Sequence, residues 1–189
     1  MTEEPGSRAP APEPIRLVQR FINTNDRAGV DLLGDADALG EWLAEAGLLD
    51  AGGRVSPAEH AGAIRLRESL RDLVGANAGL GHSRDSLAVV NAAGRRAGLF
   101  PVLTGPADAR LEPAAGRVDA ALGRIVAAVH AGIADGTWVR LKACERETCR
   151  WAFYDQSKNA GGHWCSMAVC GAREKSRRAY RRRRAAEAD

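Results

Sequence analysis

The sequence lacks the features that mark a membrane protein or a common enzyme class. No apolar stretch approaches the roughly 20 residues that span a bilayer. The opening MTEEPGSRAPAPEP is acidic, proline-rich and without an apolar core, so it resembles neither a signal peptide nor an anchor. Residues 1–13 are therefore expected to form a disordered leader, the expected compartment is the cytoplasm, and no membrane partner is expected. A Gly-rich phosphate loop, His-Glu-x-x-His and Gly-x-Ser-x-Gly are all missing. His60, His82 and His130 are scattered, and no catalytic residue is expected. Cysteine is confined to the stretch between Cys144 and Cys170, and none of the four forms a Cys-x-x-Cys pair, which removes the usual dithiol redox motif. Lysine is scarce, so most of the positive charge is arginine.

What is present is charge unevenly placed. The 189-residue chain has a formal net charge of +3. Residues 138–189 hold 13 Lys and Arg against 6 Asp and Glu, a net of +7, which leaves 14 against 18 for the remainder, a net of −4. An acidic body with a basic end points to a polyanion partner for that end alone. A hydrophobic fraction of 45% is enough for a packed core.

The apolar spacing of the body is helical. PIRLVQRFINTN sets Ile15, Val18, Phe21 and Ile22 on one face. DADALGEWLAEAGLL follows, with Asp35 or Asp37 as N-cap, an apolar stripe of Leu39, Trp42, Leu43 and Ala46, and Gly47 at its end. SPAEHAGAIRLRESLRDLVGAN opens with Ser56 as cap, Pro57 at the first helical position and Glu59 three residues after the serine, the capping-box pattern. SRDSLAVVNAAGRRAG predicts a further helix. LFPVLTGPADARLEP is broken by proline around a Gly-Pro turn and predicts a β-hairpin or a long loop. AAGRVDAALGRIVAAVHAGIADG returns to helix, and TWVRLKAC enters the cysteine region as a strand.

The cysteines pair as Cys144/Cys149 and Cys165/Cys170, each with four intervening residues and fifteen between the pairs. Two ligand pairs on separate knuckles suit the tetrahedral preference of zinc, and four thiolates leave no open coordination position. The expected cofactor is a structural Zn2+; disulfides and free core thiols are the competing readings, and a reducing compartment weakens the first of these. His163, two residues before Cys165, is a candidate substitute ligand, with a packing or surface role as the plainer reading. WAFYD alternates like a strand and QSKNAGG is turn chemistry. Trp151, Phe153 and Trp164 are expected to form the small core of a module that needs its metal to fold.

The run C-x4-C-x-W-x-F-x-D-x-S-x-N-x4-W-C-x4-C-G-x-R resembles the CGNR-type zinc finger. FINTND…DLLGDADALGEWLAEAGLL and LRESLRDLV resemble the helical ABATE domain that precedes that finger. The resemblance implies a stress-induced transcriptional regulator that binds DNA through the finger, with a small-molecule effector or a second subunit acting through the helical domain. It also implies a recurring Asn-Thr step, here Asn23 and Thr24, and a recurring arginine, here Arg67, as candidate ligand-binding residues. Capping and inter-helix hydrogen bonding is the plainer role for all three. One departure stands out: Ala172 occupies the asparagine position of the Cys-Gly-Asn-Arg motif.

AREKSRRAYRRRR follows the last cysteine. As a helix it aligns Arg173, Arg177, Arg181 and Arg184 on one face with Tyr180 beside them. The nucleic-acid-binding candidates are Arg173, Lys175, Arg177, Arg178, Tyr180, Arg181, Arg182, Arg183 and Arg184, with double-stranded DNA as the expected partner. An RNA-binding protein and a protein-interaction adaptor are the alternatives. The expected fold is mainly α: a helical domain over 14–137 with a small β-hairpin, then a treble-type zinc module over 138–184 with short strands and a basic helix, then a tail over 185–189.

Overall fold

The computed structural model describes residues 8–26 and 29–186, and in the last helix it describes no side chain for Arg178, Arg182, Ala185 and Ala186. The described elements run α1 Ile15–Ile22, α2 Ala36–Glu45, α3 Pro57–Ala76, α4 Arg84–Ala97, β1 Leu99–Gly105, β2 Asp108–Pro113, α5 Arg117–Ala134, β3 Leu141–Ala143, β4 Ala152–Tyr154 and α6 Ala172–Ala186. A 3-10 turn over Trp138–Arg140 leads into β3, and a wide π-type turn over Met167–Gly171 leads into α6. The fold is mainly α with two small hairpins, as the apolar spacing predicts.

The helix ends form where the caps stand. The Asp35 carboxylate accepts from the Ala38 N–H at 2.8 Å and starts α2. Ser56 and Glu59 close a full capping box around Pro57 at the head of α3. Ser83 caps α4, and Gly98 ends it in the left-handed region at φ 60°. The stretch left open between hairpin and loop is a hairpin, with Leu99 opposite Pro113 and Leu103 opposite Ala109. By contrast, the strand expected over TWVRLKAC shrinks to Leu141–Ala143, because Trp138–Arg140 coil into a 3-10 turn.

Helix α1 lies at the centre: Ile15, Val18, Phe21 and Ile22 are all fully buried. It packs between α3, α5 and β4, and Trp42 of α2 closes over Phe21 with ring centroids 5.5 Å apart. Ile64, Leu73 and Val126 are partly buried at the edge of this core.

The second hairpin is shared between two cores. Leu141, Ala143, Ala152 and Tyr154 belong to the helical core, whereas Cys144, Trp151 and Phe153 build a separate cluster with Cys165 and Cys170. Alternation along a strand produces this directly, since successive side chains point to opposite faces. Helix α1 is pinned to the hairpin by a side-chain amide acting as backbone. Asn23 Nδ2 donates to the Ala152 carbonyl at 2.8 Å, and Asn23 Oδ1 accepts from the Ala152 N–H at 2.8 Å. Gln19 Nε2 also donates to that carbonyl at 3.3 Å, and all three residues are buried.

The expected disordered leader is corrected over its described part. Ala11 is buried and its N–H meets Gln19 Oε1 at 2.9 Å, while Arg8 crosses onto the cysteine cluster. These polar anchors outweigh the proline-rich composition. Residues 1–7 lie outside the described residues.

Asn23→Ala leaves a buried backbone N–H at Ala152 unpaired and weakens its carbonyl, an expected loss of about 3 kcal/mol. Urea unfolding of zinc-loaded protein measures it; a loss below about 1 kcal/mol would show that the α1–β4 tie is not structural.

Candidate metal centre and basic helix

The first knuckle forms the turn of the β3–β4 hairpin, and the second follows β4 after the loop over 155–164. Cys144 follows β3 directly, and its N–H extends the ladder to the Trp151 carbonyl at 2.9 Å. The chain then turns on Arg146, whose carbonyl accepts from the N–H groups of Cys149 at 2.8 Å and Arg150 at 3.2 Å. Arg150 takes up the left-handed region at φ 53°, a costly conformation for a residue with a Cβ. Buried Arg71 of α3 holds its carbonyl at 3.1 Å. On the second knuckle the Ser166 carbonyl accepts from Cys170 at 2.9 Å and Gly171 at 3.1 Å, and its hydroxyl accepts from Val169 at 3.3 Å.

All four sulfur atoms lie within 4.8 Å of one another, and Cys165 Sγ is 3.6 Å from both Cys149 Sγ and Cys170 Sγ. Zinc–thiolate bonds of about 2.3 Å in a tetrahedron place sulfurs about 3.8 Å apart, whereas a disulfide needs about 2.05 Å. The thiols are free, so the disulfide reading fails and the metal reading fits. The ionisation of the set supports this. Hydrogen bonds from Cys144 and Cys165 pull the Cys149 thiol down to about 2, the Cys149 sulfur and burial push Cys144 up to about 12 against an opposing pull from Cys165, and Cys144 and Cys149 push Cys165 well above its ordinary value. One thiolate is welcome and further ones are opposed; a divalent cation removes that opposition by supplying charge to all four. Four sulfurs close the shell, and bound zinc serves as a cross-link. His163 is exposed, and its Nδ1 meets the Glu145 carboxylate instead of joining the set.

Around the sulfurs, Trp151, Phe153 and Trp164 form the small core their spacing predicts. Two features were not foreseen. Arg8 donates from Nε to the Cys165 carbonyl at 2.9 Å and from Nη2 to the Trp164 carbonyl at 2.8 Å, with its guanidinium 4.5 Å from the Phe153 ring centre. Nothing in a proline-rich leader announces such a contact. Asp155, fully buried, accepts from Ser157 N–H at 3.0 Å, Gly162 N–H at 2.6 Å and Lys142 Nζ at 3.2 Å. Burial alone would raise its carboxyl, but the Ser157, Gly162 and Lys142 hydrogen bonds outweigh that and hold it at about 2. The loop closes so tightly that a Cβ on Gly162 would sit 2.8 Å from the Asp155 carboxylate. The aspartate and serine of the finger motif are the available sequence signal for this loop.

The three candidate ligand-binding residues are brought near one another and spent internally. Asn23 holds Ala152. Thr24 Oγ1 donates to the Phe21 carbonyl at 2.8 Å and accepts from Arg67 at 3.3 Å. Arg67, 2% exposed, forms a bidentate pair with Asp31 at 2.6 and 2.8 Å and reaches Glu68 at 2.9 Å. Burial would raise the Asp31 carboxyl, but Arg67, Asn25 and the Leu33 N–H keep it at about 2. Glu68 also pairs with Arg71, which caps the Ile22 and Asn25 carbonyls at 2.6 and 3.1 Å. Thr24 and Arg67 join the end of α1 to α3 and to Asp31, Arg71 joins α3 to the first knuckle, and none of the three candidates lines the cavities of the helical body described below.

Helix α6 leaves the second knuckle through the wide turn. Arg173, Lys175, Arg177, Tyr180, Arg181, Arg183 and Arg184 are exposed on it; the side chains of Arg178 and Arg182 lie outside the described ones. Arg177 pairs with Glu174 at 3.1 Å, the one described ion pair within the helix. Ala172 is exposed at the helix start, and Ser166 closes the knuckle without help from that position.

Residues 16–136 match the ABATE family, described as "Putative stress-induced transcription regulator", and residues 140–184 match the CGNR zinc finger. No curated protein matches the chain at a significant level.

Cys165→Ser opens the sulfur shell, and the variant is expected to lose stoichiometric zinc and the ordered second knuckle, read by metal analysis and near-ultraviolet circular dichroism. A folded variant that keeps zinc would overturn the four-thiolate assignment. Arg8→Ala is expected to speed zinc transfer to a chromogenic chelator by about tenfold, through loss of two hydrogen bonds from a charged donor; an unchanged rate would make the Arg8 contact incidental.

Proposed function

Since the chain belongs to the ABATE family and ends in a CGNR zinc finger, we propose that it is a cytoplasmic transcriptional regulator that binds double-stranded DNA through α6. The observation that carries this reading is the direct attachment of an exposed arginine helix to the knuckle that carries Cys165 and Cys170. Gly171 alone separates the last thiol, Cys170, from the first residue of α6. The helix runs 15 residues, about 22 Å, long enough to lie in a major groove. Arg173, Arg177, Arg181 and Arg184 repeat at helical spacing along one face, and their mutual repulsion is relieved by phosphates, which accept charge-assisted bonds and release counterions. Zinc holds the knuckle, the knuckle aims the helix, and arginine grips the backbone. Ala172 contributes no base-reading amide, so specificity rests on the arginines and on DNA shape. The reading assigns the protein no catalytic role.

Tyr180 supports a second reading. It is 62% exposed beside the arginines and offers a stacking face to single-stranded RNA or DNA.

Fluorescence anisotropy across a salt series, on duplex DNA, duplex RNA and single strands, separates the two. Duplex DNA is expected to bind most tightly. Replacing Arg177, Arg181 and Arg184 by Gln is expected to lower the salt slope by about 3 and to weaken binding on every duplex alike. Preference for single strands, lost in Tyr180→Ala, would favour the second reading. No binding at low salt would leave α6 as a protein-docking helix.

A further inference from the structure

Away from the zinc module, a cavity of about 850 Å³ opens between α3, α4, α5 and the β1–β2 hairpin, within the size range of small-molecule sites. Its walls are largely apolar, with Leu73, Leu87, Val90, Val126, Ile133 and Trp138 among the lining residues. Its polar side chains include Asn77, which is bonded to backbone carbonyls, and His82, Asn91, Arg95 and His130, which form no hydrogen bond or ion pair with another described residue. Among the described residues no aspartate or glutamate lines it, although residues 1–137 carry a net charge of −4. A neighbouring cavity of about 770 Å³ shows the contrast, with Glu13, Glu112 and Asp135 set beside Arg110 and Arg124.

From this asymmetry we propose that the larger cavity binds an organic monoanion with an apolar body, such as an aromatic or branched carboxylate. The apolar walls take the body, since burying hydrocarbon there removes it from water. Arg95 takes the head group, because among the described residues it is the one arginine or lysine on the lining and has no carboxylate partner. An organic cation finds no carboxylate in the cavity and meets Arg95. The site also touches the path to the finger. Trp138 lines it, and Asn77, also on its wall, donates to the carbonyls of Trp138 at 2.8 Å and Leu141 at 2.9 Å, the residues that lead into β3. An occupant is thus placed to alter how the zinc module is held; this last step rests on the regulator reading, whereas binding itself does not.

Calorimetry on the zinc-loaded full chain with 2-naphthoate, 2-naphthamide and 2-naphthylmethylammonium tests the assignment. Naphthoate is expected to bind about tenfold more tightly than the amide, and the ammonium most weakly. Arg95→Gln is expected to bring naphthoate down to the amide's affinity. Ile133→Glu, at a position 61% exposed and so tolerant of charge, is expected to weaken naphthoate more than the amide. Equal affinities, no binding by any of the three, or a preference that survives Arg95→Gln would overturn the proposal. So would sedimentation showing a dimer that Ile133→Glu dissociates, since a second copy would then fill the groove. Selective naphthoate binding without DNA binding would keep the site and sink the regulator reading; DNA binding without naphthoate selectivity would do the reverse.

Discussion

The structure depends on one short hairpin having two jobs. Three residues of β3 and three of β4 form a wall with the helical core on one face and the sulfur cluster on the other. Neither face is large enough to hold the hairpin alone, since two short strands are marginal in water. The Asn23 amide, Gln19 and the buried arginine at position 71 supply the missing partners from the helical side. Zinc supplies them from the other. The metal is thereby built into the packing of the whole chain instead of closing a detached bead on a linker.

That arrangement explains where charge is tolerated. Arg67, Arg71, Lys142 and Asp155 are buried, and each is met by opposite charge or by backbone carbonyls or N–H groups, as interior ions must be. They stitch α1, α3 and the knuckles together. The arginines of α6 face water instead, and a polyanion is their natural counterpart. The two sets look alike in composition and differ entirely in burial.

Sequence reasoning reached the helices through their apolar period and caps, because both are local signals. It also reached the four thiols, since ligand pairing leaves a spacing that few other constraints mimic. It failed where meaning comes from distant partners. Arg8 lies in proline-rich sequence and gains its role from carbonyls 156 and 157 residues away. Asn23, Thr24 and Arg67 were visible as a recurring polar set, but their spacing does not distinguish a pocket from a hydrogen-bonded seam; burial does. TWVRLKAC reads as one strand because it opens on Thr137, Trp138 and Val139, yet Asn77 draws the Trp138 and Leu141 carbonyls onto the end of α3 and the first half coils.

The zinc module and the helical core share one wall. Amide hydrogen exchange on the zinc-loaded protein, before and after chelation, tests it most directly. Metal removal is predicted to raise exchange across residues 141–171 and also at the C-terminal end of α1 and just beyond it, around Phe21–Thr24, which contacts β4 from the far side. Deprotection confined to the cysteine segment, with α1 unchanged, would contradict the claim and make the finger an independent appendage.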